Sequence, residues 1–236
     1  MSKNSNLAGC AAGILAASVA GRIAYNYLKR NPLMPKGQKG KKHLLCVGDS
    51  ITFGDGVKPF MAFQSYPAYL QKLVPSDVQV MNFGLNGRTL LVEGDFPYTK
   101  ESFYAGTFQV PDAAWLVMLG TNDTKPYNWD AKKYKKELRT FLKRYLDYGG
   151  RGHVTVMKPP RAFVTAGHEE VLYDIRNEKI REAGKIIDDV ADDLKIPVID
   201  LYAFTREHPD WFTDGVHPNK TGNQKIAAYI AGELNF

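Results

Sequence analysis

Five short apolar runs punctuate the chain beyond residue 42: Leu44–Val47, Val78–Phe83, Ala114–Leu119, Val154–Met157 and Val198–Leu201. Their brevity and their Gly, Asp and Pro flanks predict strands rather than helices. Between most of them the apolar period lengthens. Tyr134, Leu138, Phe141, Leu142 and Tyr145 fall on one helical face that stops at Gly149-Gly150, and Ile180, Ala183, Ile187, Val190 and Leu194 define another. The chain closes on a third helix through Ile226, Ile230 and Leu234, whose start at Thr221 to Gln224 has capping-box spacing. Strands alternating with helices predict an α/β fold, a five-stranded parallel sheet covered on both faces. In such sheets reactive groups collect at the carboxyl ends of the strands.

Four polar, glycine-rich segments occupy those ends. Gly48-Asp49-Ser50-Ile51-Thr52 follows the first run, and Asn82-Phe83-Gly84-Leu85-Asn86-Gly87-Arg88-Thr89 closes the second. Gly120-Thr121-Asn122-Asp123 follows the third, and Asp214-Gly215-Val216-His217-Pro218 lies beyond the fifth. Each alone is a common turn sequence. Together they hold every part that acyl transfer needs. Ser50 is a candidate nucleophile, inert until a base takes its proton, and His217 is the candidate base. Asp214 would fix the imidazole tautomer and stabilise its cation. The backbone N–H groups of Ser50 and Gly87 and the side-chain amide of Asn122 are candidate oxyanion donors. Asp49 and Asp123 are expected to brace loops by accepting backbone N–H bonds. A rival reading makes Asp49, Asp123, Asp214 and His217 a divalent-metal site, but one histidine among carboxylates is a poor transition-metal set and leaves Ser50 and Asn122 unexplained. No metal or other cofactor is called for.

These segments resemble the four signature blocks of the GDSL or SGNH hydrolases, whose Ser, Gly, Asn and His correspond to Ser50, Gly87, Asn122 and His217. The resemblance runs from about His43 to the C-terminus, with the blocks in the family's order. It implies a flavodoxin-like three-layer α/β/α sandwich and ester hydrolysis through an acyl-enzyme without a metal. Thr52 stands where the G-x-S-x-G elbow of the α/β-hydrolases has glycine, which argues against that alternative. Met118 to Pro126 with Asn128-Trp129, the Lys158-Pro159-Pro160 turn, and Phe212 to Pro218 are similar to the sialate O-acetylesterase-like branch. That likeness implies removal of small acyl groups, commonly acetyl, from carbohydrates. Trp129 and Trp211, near Asn122 and Asp214 in sequence, are candidate substrate-binding aromatics. Trp115, inside a strand, and Cys46, inside the first, are expected to be core.

Composition adds bounds. At 236 residues with 44% hydrophobic and 24% charged side chains, the chain is an ordinary globular protein. Its two cysteines, Cys10 and Cys46, exclude a disulfide scaffold or a zinc site. The net charge of +6 is misleading until it is divided: residues 1–48 hold eight Lys or Arg and no Asp or Glu, leaving 23 basic against 25 acidic side chains beyond. The body therefore offers no global attraction for nucleic acid. The run Lys132, Lys133, Lys135 and Lys136 reads as solvated helix surface.

Residues 1–30 read as a hydrophobic N-terminal segment, 31–42 as a basic linker and 43–236 as the hydrolase domain. Residues 7–28 reach the length of a membrane span if Arg22 snorkels. A secretory signal (Lys3 as n-region, Ser18-Val19-Ala20 as cleavage site) and an acid-free transit segment also fit. Positive charge concentrated after the run favours an uncleaved anchor. Gly9, Gly13, Ala17 and Gly21 form a small-residue stripe fit for a helix–helix partner. Leu7-Ala8-Gly9-Cys10 resembles a lipoprotein box but lacks a preceding apolar stretch. The expectation is a membrane-associated protein of the cell envelope, the secretory route or the mitochondrial inner membrane. Two alternatives to a sugar deacetylase follow from the arm: a membrane-tethered lysophospholipase or thioesterase, and an accessory subunit of a membrane complex that retains the hydrolase fold.

Overall fold

A computed structural model describes residues 33–234. Its strands are β1 (Lys42–Gly48), β2 (Val78–Gly84), β3 (Ala113–Met118), β4 (Val154–Lys158) and β5 (Val198–Asp200). They form one parallel sheet in the order β2-β1-β3-β4-β5. The helices are α1 (Ser50–Phe53), α2 (Met61–Gln64), α3 (Tyr66–Leu70), α4 (Ser102–Gly106), α5 (Ala131–Gly149), α6 (Asn177–Leu194), α7 (Leu201–Thr205) and α8 (Lys220–Glu233). The expected α/β sandwich is what forms.

Alternation along the strands builds two cores, one on each face of the sheet. Leu45 and Val47 of β1 join Phe83, Trp115, Val117 and Val156 on one face, beneath Leu138, Phe141 and Tyr145 of α5 and Ile187 and Val190 of α6. Leu44 and Cys46 point the other way, with Leu116, Met118, Met157 and Ile199, against Tyr66 and Leu70 of α3 and Ile226 and Ile230 of α8. Cys46 is fully buried, and burial pushes its thiol up to about 12, so it is an apolar filler as expected. Trp115 is core too, with its indole N–H donating to the Thr107 carbonyl. Lys132, Lys133, Lys135 and Lys136 are exposed on α5; Lys133 pairs with Glu93 and Lys135 with Asp189.

Several boundaries move for local reasons. β5 ends at Asp200 rather than Leu201, because the Asp200 carboxylate accepts the Ala203 N–H at 2.9 Å and starts α7. The capping-box reading of Thr221 to Gln224 is corrected: Asn219 is the N-cap, accepting the Gly222 N–H at 3.0 Å, and α8 starts at Lys220. Leu234 caps α8 instead of lying within it.

The expected membrane-associated localisation is also corrected. Among the described residues no helix is long and apolar enough to cross a membrane. The longest, α5 and α6, bury one apolar face and turn charged side chains outward. Residues 7–28, with Cys10 and the stripe of Gly9, Gly13, Ala17 and Gly21, lie outside the described residues.

The loop after β2 is tied to the end of β3 by one buried carboxylate. Asp123 accepts the Leu90 N–H at 3.0 Å and the Leu91 N–H at 2.8 Å, the bracing role expected of it. Burial pushes its carboxyl up to about 7, against the pull of those N–H groups and with the nearby Asp49 adding to the rise. Below the unfolded pKa, near 4, both states hold the proton and nothing is lost. Between there and about 7 the unfolded chain releases a proton that the fold retains, so this group's contribution to stability falls as pH rises. Asp123→Asn keeps one acceptor and does not titrate. Urea unfolding should therefore show a destabilised variant whose deficit shrinks by about 2–3 kcal/mol between pH 5 and pH 8; a deficit independent of pH would show that Asp123 is ionised throughout.

Candidate active site

β1 ends beside two neighbours at once, Gly48 pairing with Gly84 of β2 and with Met118 of β3. The three following loops are thereby brought to one edge. Ser50 is the first residue of α1, directly after the Asp49 N-cap, whose carboxylate accepts the Ile51 N–H at 2.9 Å. That sharp strand-to-helix turn presents the Ser50 hydroxyl at the sheet's carboxyl edge.

His217 arrives from the other end of the chain. Its Nε2 lies 2.8 Å from Ser50 Oγ, across 167 residues of sequence. Its Nδ1 lies 2.7 Å from Asp214 Oδ2. Asp214 Oδ1 accepts the backbone N–H groups of Val216 and His217 at 3.0 and 2.8 Å, which folds Asp214 to His217 into a tight turn. Burial alone would raise the Asp214 carboxyl, but its bond to His217, that residue's charge and the two N–H bonds outweigh it and hold the group well below the usual range. An ionised Asp214 is acceptor-only, so Nδ1 carries the proton and Nε2 accepts from Ser50. Ser50 and His217 are both buried.

The histidine turn is braced from two sides. Asn223 of α8 accepts the Tyr66 N–H at 2.7 Å and donates to the Pro218 carbonyl at 2.7 Å. Gly56 lies so close that a Cβ there would stand 2.3 Å from the Pro218 oxygen and 2.9 Å from the His217 carbonyl carbon, and its own carbonyl accepts from Thr213 Oγ1 at 3.0 Å.

The other two candidate residues lie in the loops after β2 and β3. Gly87 has φ +78, a left-handed conformation that glycine adopts freely. Asn122 is buried; its Nδ2 donates to the Arg88 carbonyl at 3.2 Å and makes a long 3.5 Å contact with Asp49 Oδ2. Burial pushes the Asp49 carboxyl up to about 6, moderated by the Ile51 N–H and the charge of His217. Asn128 donates to the Asn122 carbonyl at 2.9 Å and to Asp95 Oδ1 at 2.9 Å, and Asp95 is also paired with Lys125 at 2.9 Å.

The structure thus brings Ser50, His217 and Asp214 into one hydrogen-bonded line. Trp129 and Trp211 take other contacts. The half-buried Trp129 ring leans on Tyr134 at 5.4 Å. Trp211 is buried, stacks on His208 at 3.7 Å and leans on Phe204 at 5.5 Å with the rings tilted by 47°. Among the described residues no group of three or more His, Cys, Asp or Glu side chains is disposed to hold a metal ion. Sequence reasoning missed Gly56, Asn223 and Tyr173, whose hydroxyl donates to Asp214 Oδ2 at 2.9 Å. None of them sits in a block of characteristic spacing.

Comparison with known proteins bears on the family and the fold. The model of the GDSL-like Lipase/Acylhydrolase family matches residues 46–225. An acetylxylan esterase of Xylanibacter ruminicola is 30% identical over 223 residues, covering 89% of this chain and 46% of that protein. The chain thus spans about half the length of this curated relative. Among solved structures, the aryl esterase of M. smegmatis matches with a TM-score of 0.66 at 21% identity, covering 81% of this chain and 97% of that one. A carbohydrate acetylesterase from Sinorhizobium meliloti matches with a TM-score of 0.62 at 20% identity, again over 81% and 97%. At those identities the structural matches establish the fold. The family match, over most of the chain, goes further: this protein belongs to the GDSL-like lipase/acylhydrolase family.

Proposed function

We propose that residues 43–236 form a serine esterase domain that removes small acyl groups, acetyl above all, from carbohydrates through a Ser50-His217-Asp214 acyl-enzyme mechanism. The observation that carries this reading is the unbroken line from Ser50 Oγ to His217 Nε2 (2.8 Å) and from His217 Nδ1 to Asp214 Oδ2 (2.7 Å). A hydroxyl is a poor nucleophile at its own pKa, and a neutral imidazole nitrogen within hydrogen-bond reach is what activates it. Ser50 Oγ attacks the ester carbonyl carbon while Nε2 takes its proton. The imidazolium so formed is stabilised by the ionised Asp214. It then protonates the leaving sugar oxygen, leaving an acyl-serine. Water enters, gives a proton to Nε2 and attacks the acyl carbon, and the collapse of that adduct releases the acid and restores Ser50.

In both tetrahedral adducts the carbonyl oxygen becomes an anion. The backbone N–H groups of Ser50 and Gly87 and the Asn122 amide are the donors assigned to it. Asn122's contact with Asp49, at 3.5 Å, is near the limit of a hydrogen bond. An oxyanion is the stronger acceptor and would take that N–H, while the Arg88 carbonyl keeps the amide oriented. The substrate class rests on the acetylxylan esterase relative, an enzyme named for acetyl groups on a polysaccharide, together with the sequence likeness to a sugar-deacetylating branch.

Ser50→Ala should lose at least about 1,000-fold in kcat on p-nitrophenyl acetate, with an unchanged far-ultraviolet circular dichroism spectrum. Unaltered turnover would end the mechanism. Gly56→Ala should cost activity through geometry alone, since its methyl group must push the His217–Pro218 backbone away. A 1 Å misplacement of this kind costs on the order of 100-fold in kcat; wild-type kcat in the folded variant would show that the turn tolerates the shift. On chain length, acetyl esters should be turned over at least about tenfold faster than octanoyl or palmitoyl esters, one such factor being about 1.4 kcal/mol of barrier. Acetylated xylan should release acetate. A steep preference for long chains, with no acetate released, would overturn the substrate assignment.

A further inference from the structure

One side chain reaches the Ser50, His217 and Asp214 line from a part of the chain that no motif marks. Tyr173 lies in the connection between β4 and α6, where it and Asp174 both adopt left-handed backbone, with φ 63 and φ 59. Residues bearing a Cβ disfavour that region, and two in succession are held there only by their surroundings. Core packing does not hold Tyr173, which is 52% exposed. Its contacts are with the reacting groups. The hydroxyl donates to Asp214 Oδ2 at 2.9 Å, the oxygen that also takes His217 Nδ1 at 2.7 Å. The ring stands edge-on to the imidazole, with centroids 5.3 Å apart and planes at 69°.

The same connection is pinned on either side of Tyr173. The Phe163 N–H donates to the Gly215 carbonyl at 2.9 Å, inside the histidine turn. Arg176 pairs with Glu170 at 2.7 Å, and its N–H donates to Thr124 Oγ1 at 3.3 Å, just past Asn122. The segment therefore spans the candidate site from the histidine side to the Asn122 side, and Tyr173 is the residue it delivers to the Asp214–His217 pair.

We propose that Tyr173 is a positioning residue for ester hydrolysis: its hydroxyl takes a share of Asp214's acceptor strength and so sets the basicity of the imidazole, while its ring fixes the imidazole's tilt toward Ser50. The inference rests on the reading of Ser50, His217 and Asp214 given above. Its physical basis is that a carboxylate oxygen shared between two donors is a weaker partner for each. The Tyr173 hydroxyl stays a donor throughout the working range, because partial burial and the adjacent Asp214 and Asp55 carboxylates push it up to about 12. Other ionisable groups face the pair. Asp49, from the turn after β1, interacts with His217. Asp55, from the turn after α1, interacts with Tyr173 and is itself paired with Lys58 at 3.6 Å. Asp49, Asp55 and Lys58 are all retained when the Tyr173 hydroxyl is removed, so any change then belongs to the hydroxyl.

The test is the pH profile of kcat/KM on p-nitrophenyl acetate for wild type, Tyr173→Phe and Tyr173→Ala, with Ser50→Ala as the control. Loss of the hydroxyl leaves Asp214 with more charge for the imidazolium, so the acidic limb of Tyr173→Phe should move to higher pH by about half a unit or more. Its plateau kcat should change by less than about threefold, as expected for a group outside the reacting atoms. Tyr173→Ala also removes the ring and should lower plateau kcat by about tenfold with KM little changed. A Tyr173→Phe profile that superimposes on wild type, or a Tyr173→Ala variant altered in KM alone, overturns the proposal and makes Tyr173 a surface or substrate contact. Residual wild-type turnover in Ser50→Ala would instead overturn the reading of the triad itself, whatever Tyr173 does.

Discussion

A serine oxygen and an imidazole nitrogen separated by 167 residues meet at 2.8 Å, and that closure depends on the order in which the strands are laid down. β1 occupies an inner position with β2 on one side and β3 on the other. Its last residue, Gly48, is in register with Gly84 and Met118, so three loops leave the sheet at nearly the same level. The fourth loop is brought by α8, which packs Ile226 and Ile230 into the same core as α3. Apolar burial on both faces of the sheet is non-directional and sets only approximate positions. The final fractions of an ångström come from directional bonds at the rim: Asn223 to Tyr66 and Pro218, Asp123 to Leu90 and Leu91, and Asp214 to its own turn.

The site contains three carboxyl groups with different electrostatic situations. Asp214 is surrounded by donors and kept ionised. Asp49 and Asp123 are fully buried, with fewer compensating donors, and each is pushed upward by burial. This division suits their positions. An ionised group opposite the imidazole stabilises a cation, whereas excess negative charge beside the proposed oxyanion donors would oppose the anion they would serve. Holding Asp49 and Asp123 closer to neutrality limits that opposition while both still accept backbone N–H bonds.

Much of this was legible in the sequence because strand-forming runs and the glycine-rich segments after them obey local rules. The runs from Leu44, Val78 and Val154 appear within a residue or two of their expected limits. Ser50, Gly87, Asn122, Asp214 and His217 stand in segments that resemble the family's signature blocks. What escaped were features decided by side-chain direction or by partners remote in sequence. Asn219 caps α8 in place of Thr221 because Asn219 Oδ1 reaches Gly222 first. Gly56 looks like any loop glycine until the His217 backbone lies against it. Tyr173 sits in a connection without periodicity, 41 residues from the carboxylate it touches. Trp211 stands three residues from Asp214, yet its ring turns to His208 and Phe204, since nearness along the chain does not fix side-chain direction.

Asn223 gives the molecule a particular failure mode. Its amide joins the turn bearing the imidazole to α3, and it is itself carried on α8, the last helix described. Detachment of this terminal segment would separate the imidazole from the hydroxyl while the five strands stayed paired. In that event catalytic competence would be lost without unpairing of the sheet.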